Sequence, residues 1–171
     1  MTLRSLVSFP DPVNEKAART VAAGVALMSA AAIAARQPWL LVVLAAGFWA
    51  RVATGPTLSP LGRLATSVVA PRFGKPKLVP GPPKRFAQGI GTAFSTTAVL
   101  LWFAADAHMA ALVVTGALAC AATLEAGLGL CLGCKIFGVL MRIGLVPESV
   151  CEACADISLR HPQVLQEAGR S

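Results

Sequence analysis

The chain has no tyrosine, two histidines, and charged side chains at only 13% of its positions, against 56% hydrophobic ones. So little charge excludes an ordinary soluble domain, where about a quarter of residues are charged. Lipid is therefore the solvent for most of the chain. The missing tyrosine, with apolar runs built from Ala, Leu, Gly and Val, excludes an outer-membrane barrel and points to membrane helices. No glycine-rich phosphate loop, zinc-protease helix or Ser-His-Asp order is present. The opening residues carry Pro10, Asp11, Pro12 and Glu15 and lack the apolar core of a signal peptide, so nothing suggests cleavage.

Acidic residues are also few, eight against fifteen Lys and Arg, for a net charge of +7. No basic run is interleaved with stacking aromatics, which argues against nucleic acid. Basic residues beside apolar helices fit membrane topology and anionic lipid instead.

What is present reads as a single all-α membrane domain over residues 1–171, a polytopic helix bundle of about four spans with short interfacial helices. The spans fall at 20–35, 39–53, 88–105 and 109–132, joined by a basic loop at 55–87 and followed by a tail at 133–171. Asn14 or Asp11 is the expected cap of the first helix. On it, Gly24, Ala31 and Ala35 share a face that permits close helix contact. Pro38 opens the second helix, which is short of the roughly 20 residues a span needs and borrows length by letting Arg51 snorkel outward. In the loop, Ser59 and Pro60 should start a short interfacial helix over 61–70. The loop holds Arg63, Arg72, Lys75, Lys77, Lys84 and Arg85, and no acid. Thr92, Ser95, Thr96 and Thr97 on the third span can bond back to their own helix or across to a neighbour. Trp39, Trp49 and Trp102 fall near helix ends, as interfacial anchors do. A run from Lys135 to Val146, too short to cross, should form an interfacial or re-entrant helix ending at Pro147.

Basic residues set the orientation, since Lys and Arg gather on the cytoplasmic side of short loops. With both termini cytoplasmic, only Arg36 faces out. That arrangement expects a multi-pass protein of the bacterial inner membrane with its cysteine pairs on the cytoplasmic side.

The candidate chemistry is concentrated in Cys131-Leu-Gly-Cys134 and Cys151-Glu-Ala-Cys154, which hold four of the five cysteines. Together they match the spacing of a four-thiolate zinc site, and each pair alone matches a dithiol redox motif. A reducing cytoplasm argues against a structural disulfide. Metal binding, thiol chemistry and plain packing remain as readings. Cys131 to Cys134 continues an apolar run, so the two sulfurs are expected on one helical face, with Gly127 and Gly138 on the same face. Lys135 favours a thiolate there, while a helix C-terminus opposes one. Glu125, the one acid inside a span, is either a proton or substrate site near Cys131 or a structural partner of Thr96 or Thr97. Cys120 is expected to be a small buried hydrophobe. His108 reads as a turn residue, and His161 as an exposed loop residue or a fifth metal ligand.

The segments Gly55-Pro-Thr-Leu-Ser-Pro-Leu-Gly-Arg-Leu-Ala65, Pro82-Pro-Lys-Arg-Phe-Ala-Gln-Gly-Ile-Gly91 and Gly129-Leu-Cys-Leu-Gly-Cys134 together resemble the bacterial membrane family catalogued as domain of unknown function 4395, in an actinobacterial form. The resemblance covers roughly Phe9 to Cys154. It implies a small multi-span inner-membrane protein whose genes often neighbour those of thioredoxin-like proteins and rhodanese-type sulfurtransferases. The Cys131 to Cys134 pair belongs to the resemblance.

These features lead to a membrane dithiol protein in which Cys131 and Cys134 exchange electrons or sulfane sulfur, with Glu125 as proton acceptor and Cys151 and Cys154 as a second station. Its expected partners are the lipid bilayer and a thioredoxin-like protein or rhodanese-type sulfurtransferase, with a second copy of the chain as a further candidate. Alternatives are a non-catalytic docking protein with a structural zinc on Cys131, Cys134, Cys151 and Cys154, and a small sulfur-anion carrier fed by the basic loop. The orientation is checked by placing single cysteines at positions 75 and 160 in a Cys-free background. Both should resist an impermeant thiol reagent added from outside, and labelling of either would reverse the topology.

Overall fold

The first helix, α1 (Glu15–Ala35), starts where Asn14 leaves helical geometry and its side chain accepts a hydrogen bond from the Lys16 amide at 3.0 Å. It ends at Arg36, which takes a left-handed conformation with φ 49°. The computed structural model describes residues 11–145, so Cys151, Cys154, His161 and the acidic tail lie outside the described residues. After the Arg36-Gln37 turn, α2 (Pro38–Thr54) begins with proline in the first turn, where no amide partner is lost. Ser59 then caps α3 (Pro60–Leu64), its Oγ accepting from the Gly62 amide at 3.2 Å. The chain continues through a π-helical turn at Ala65–Val69 into α4 (Ala70–Arg72).

The basic segment is more ordered than a loop. Leu78–Val79 (β2) pairs antiparallel with Val13–Asn14 (β1), Val13 opposite Val79 and Asn14 opposite Leu78, the one departure from an all-helical fold among the described residues. The Glu15 amide extends the tie to the Lys77 carbonyl at 2.8 Å, and the Lys16 ammonium donates to the carbonyls of Phe73 and Lys75. The third long helix, α5, runs Gly81–Phe103 and so begins seven residues before the expected Gln88. The physical reason is its N-terminus. The Asp11 carboxylate accepts from the Gly81 amide at 2.9 Å, and Pro82 and Pro83 occupy a first turn that has amides to spare. Lys84, Arg85 and Ala87 are thereby helical residues.

The fourth long helix, α6, runs His108–Leu128. Three helices, α1, α5 and α6, are long and apolar enough to cross a membrane, while α2, at 17 residues, is a shorter apolar helix. Side chains tie the antiparallel run together. Trp39 at the start of α2 meets Phe103 at the end of α5 with ring centroids 6.1 Å apart, and Trp49 donates from Nε1 to Thr96 Oγ1 at 3.2 Å. Thr92 and Ser95 instead bond back to carbonyls one turn earlier, at 2.8 Å each. His108 packs against Trp102 with ring centroids 4.5 Å apart and the rings tilted by 56°, across the connection from α5 to α6.

The core gathers Val21, Val25, Leu44, Phe48, Ala65, Leu118 and Ala122, with Leu61 packed against it. Gly24 admits the Leu61 side chain, since a Cβ there would lie 2.7 Å from it. Leu27, Trp39, Met109 and Val113 point outward with more than two thirds of their surface free. In water such a face would be a large unfavourable patch, whereas lipid solvates it without penalty.

Two expectations about burial are overturned. Arg51 does not snorkel outward: it is 5% exposed, with Nε donating to Gln88 Oε1 at 3.0 Å and Nη1 to Ser59 Oγ at 3.3 Å. Its guanidinium lies over the Phe48 ring at 4.4 Å, so polar and π partners inside the bundle replace the water it was expected to reach. Cys120, conversely, faces outward on α6 rather than into the core.

The tightest helix crossing brings Phe48 of α2 against Gly91 of α5, where a Cβ would fall 2.1 Å from the ring. Gly91→Ala should therefore destabilise the bundle by about 1–3 kcal/mol, and Phe48→Leu in the same chain should recover part of the loss. Melting of the detergent-solubilised protein measures both. Unchanged melting in Gly91→Ala would disprove the crossing.

Candidate functional site: a thiol pair at the end of the bundle

The site is built where α6 stops. Gly129 takes φ +69°, its amide bonds back to the Glu125 carbonyl at 3.0 Å, and the Leu130 amide reaches the Leu124 carbonyl at 3.3 Å. These are the bonds of a glycine-terminated helix, and a side chain at position 129 would strain them. Arg19 of α1 completes the end, its guanidinium donating to the carbonyls of Ala126 and Gly127 at 2.7–3.1 Å, where a cation is favoured by the helix dipole.

The chain then reverses, and a new helix, α7 (Leu132–Arg142), begins with Cys131 as its N-cap in extended geometry. This corrects the sequence reading in three ways. The span ends at Leu128 rather than Leu132, so Cys131 and Cys134 do not continue it, and Gly127 and Gly138 belong to two different helices rather than to one face. The thiols also sit at a helix N-terminus, where the dipole favours an anion, and not at a C-terminus, where it would oppose one. The physical reason is Gly129, which needs no extra energy to turn out of the helix in the middle of an apolar run.

Gly133, inside the pair, is fixed by packing. A Cβ there would lie 2.6 Å from the Ala87 Cα, so α7 can dock its first turn on α5 only with glycine at this position. Phe137 follows one turn later against Phe86, with ring centroids 5.5 Å apart. Leu132, Ile136, Val139 and Ile143 form an exposed apolar stripe along α7, as an interfacial helix requires. The helix lies close to the expected 135–146 but starts earlier, with the thiol pair in its first turn.

Glu125 has a partner that the sequence reading missed. Its Oε1 accepts from Lys84 Nζ at 2.7 Å, with both side chains largely buried, so the expected bonds to Thr96 or Thr97 are not formed. The sequence pattern places Lys84 in the basic loop, and only the early start of α5 makes it a buried cation. A lysine three residues into a helix that opens Gly81-Pro-Pro was the signal available, since proline pairs mark helix starts.

Lys84 and the two thiols meet at a cleft of about 320 Å³ lined also by Glu15, Leu130 and Lys135 among others. Cys131 is buried, at 7% exposure, and Cys134 is half-buried. The Cys131 thiol is held below the ordinary thiol range, first by the hydrogen bond it receives from the Cys134 side chain and also by the Lys84 ammonium. Burial and the Glu125 carboxylate act against that lowering. Cys134 is pushed well above the ordinary range because its proton is held by Cys131 and because it too is buried. One thiol of the pair is thus set to ionise and the other to stay protonated, the division of labour that dithiol exchange needs.

Among the described residues, no group of three or more His, Cys, Asp and Glu side chains could hold a metal ion. Cys131 and Cys134 supply half of a tetrahedral shell, and the other half of the expected zinc site, Cys151 and Cys154, lies outside the described residues.

Fold and site together define a small helical protein, with helices fit for a membrane, that carries a Cys-x-x-Cys pair at a helix N-terminus. The chain belongs to the family described as domain of unknown function (DUF4395), whose model matches residues 13–142. The match takes in Cys131 and Cys134 and stops before Cys151, short of the expected extent to Cys154. No curated protein and no solved structure matches the chain.

The charges around Cys131 fix the sign of a pH experiment. A lowered thiol keeps its thiolate as pH falls until the shifted value is passed. Removing the favourable cation in Lys84→Met should therefore move the midpoint of Cys131 alkylation to higher pH, and removing the opposing carboxylate in Glu125→Gln should move it lower. The double variant, which leaves no buried charge unpaired, controls for folding. Equal midpoints in all four proteins would show that the pair does not act on the thiol.

Proposed function

We propose that this chain is a multi-pass protein of the bacterial inner membrane, with both termini cytoplasmic, whose Cys131–Cys134 pair handles sulfane sulfur or electrons for a soluble thioredoxin-like or rhodanese-type partner. The observation that carries the reading is the placement of Cys131 and Cys134 at the N-terminus of α7, beside the Lys84–Glu125 pair, in an open cleft. The orientation rests on the basic residues. Lys16, Arg19, Arg63, Arg72, Lys75, Lys77, Lys84 and Arg85 gather at the end of the bundle that holds the cysteines, and Arg36 lies at the other end.

In the sulfur-transfer step the Cys131 thiolate attacks the outer sulfur of a donor persulfide. A bond forms between Cys131 Sγ and that sulfur, the donor's S–S bond breaks, and the donor leaves as a thiolate that is protonated by solvent. Attack by Cys134 on Cys131 Sγ then releases the sulfur as hydrosulfide, oxidises the pair to a disulfide, and gives up the Cys134 proton to Glu125. A thiol-reducing partner is needed to return the pair to its dithiol form. In plain thiol exchange the same two steps reduce a partner's disulfide and leave the Cys131–Cys134 disulfide behind. The deep seat of Cys131 favours the persulfide, whose terminal sulfur is a single protruding atom, over a disulfide flanked by carbon on both sides. Where Cys151 and Cys154 take part, they act as a second dithiol that accepts the oxidising equivalents.

The test uses the whole protein in detergent with glutathione persulfide as donor and mass spectrometry as readout. Cys134→Ser should accumulate a persulfide on Cys131, since the resolving thiol is gone, and Cys131→Ser should accumulate none at this pair. Glu125→Gln should slow hydrosulfide release by roughly 100-fold, the scale of a lost proton acceptor. No adduct on Cys131 from the persulfide, and none from an oxidised thioredoxin-like protein, would overturn the reading.

A further inference from the structure

Arg51 stands apart from the thiol site and is the most costly side chain to bury in the bundle. A guanidinium is always protonated and carries five N–H donors. The ion pairs among the described residues are Lys77–Glu15, Lys84–Glu125 and His108–Asp106, so Arg51 has no carboxylate. Gln88 Oε1 and Ser59 Oγ take one donor each, through Nε and Nη1. Nη2 is fully buried and has no hydrogen-bond partner. A buried cation that keeps its charge and leaves a nitrogen unpaired is unfavourable, and an anion that joins it relieves that cost.

The room for an anion is present. Arg51 lines two cavities, one of about 250 Å³ walled by Pro12, Val21, Pro56 and Gln88, and one of about 510 Å³ walled by Met28, Leu44, Gly47 and Ser59. Gly47 leaves the guanidinium uncovered on the second side, since a Cβ there would lie 3.2 Å from Nη1 and 3.9 Å from Nη2. Apart from Arg51 and a few polar neighbours, the walls are apolar. Such a site offers a guanidinium with one unpaired nitrogen, Nη2, beside a largely apolar slot, a charge-assisted donor for a phosphate or sulfate oxyanion.

We propose that Arg51 anchors an oxyanion-binding site within the bundle, its ligand being a phosphate-type oxyanion, either free or carried as the headgroup of an anionic lipid whose chain fills the apolar cavity. Gln88 and Ser59 act as positioning residues that present the guanidinium with Nη2 toward the ligand. The site does not depend on the thiol chemistry, and failure of one leaves the other standing.

The test uses the whole protein in an uncharged detergent. Native mass spectrometry compares retention of phosphatidylglycerol with that of phosphatidylcholine, and a melting assay compares sodium phosphate with sodium chloride at equal ionic strength. One phosphatidylglycerol should be retained per chain, and Arg51→Gln should weaken it by about 10- to 100-fold, the range for a charge-assisted hydrogen bond lost. Arg63→Gln, which removes an exposed charge on the neighbouring segment, should leave retention unchanged, and Arg51→Lys should restore part of it. Stabilisation by phosphate without lipid retention identifies a soluble oxyanion as the ligand, still at Arg51. Wild-type protein that responds to neither probe overturns the proposal whether or not the variants fold, as does equal loss in Arg51→Gln and Arg63→Gln.

Discussion

The Lys84–Glu125 pair is the constraint on which the rest of the site depends. A carboxylate on a long apolar helix, three residues from its end, is unfavourable unless a partner is supplied. The partner comes from α5, and only because that helix starts at Gly81 under an Asp11 cap. The pair thus joins two helices at one end of the bundle, and it does so directly behind the two thiols. Were α5 to begin at Gln88, Lys84 would lie in solvent and Glu125 would stand alone.

Around that pair the helix ends interlock. Arg19 satisfies carbonyls at the end of α6, Gly129 turns the chain, and Gly133 lets α7 sit on Ala87. Each contact uses the residue type best suited to it: a forked cation for two adjacent carbonyls, a glycine where positive φ is least strained, and a glycine where another backbone passes. The result presents Cys131 at the start of a helix instead of the end of one. That reversal changes the sign of the dipole at the thiol, from one that opposes an anion to one that favours it.

Charge inside the bundle is handled in two different ways. Lys84 has a carboxylate, and the two form a closed pair. Arg51 has an amide, a hydroxyl and an aromatic face, which leave one nitrogen open. Cations of both kinds cluster toward the same end, so the thiol cleft and the Arg51 cavities share a positive surrounding that draws anions toward them.

By itself the sequence determined the helical class, the approximate positions of the long helices, the Ser59 cap, the short helix after Pro60 and the pairing of Cys131 with Cys134 in one Cys-x-x-Cys motif, and it narrowed the first cap to Asn14 or Asp11. These follow from local causes: apolar length, proline placement, capping chemistry and cysteine spacing. The tertiary structure alone decided that Arg51 turns inward, that Lys84 belongs to Glu125, that β1 and β2 pair, and that Cys131 opens a helix. Each of these joins residues far apart in the chain, as Lys84 and Glu125 or Val13 and Val79 do, and no local pattern encodes which distant side chain will offer the lower free energy. The break at Gly129 lies between the two cases, because a glycine in an apolar run is compatible with a continuous helix, and Arg19 reaching across from α1 adds a distant contact that supports the end of α6.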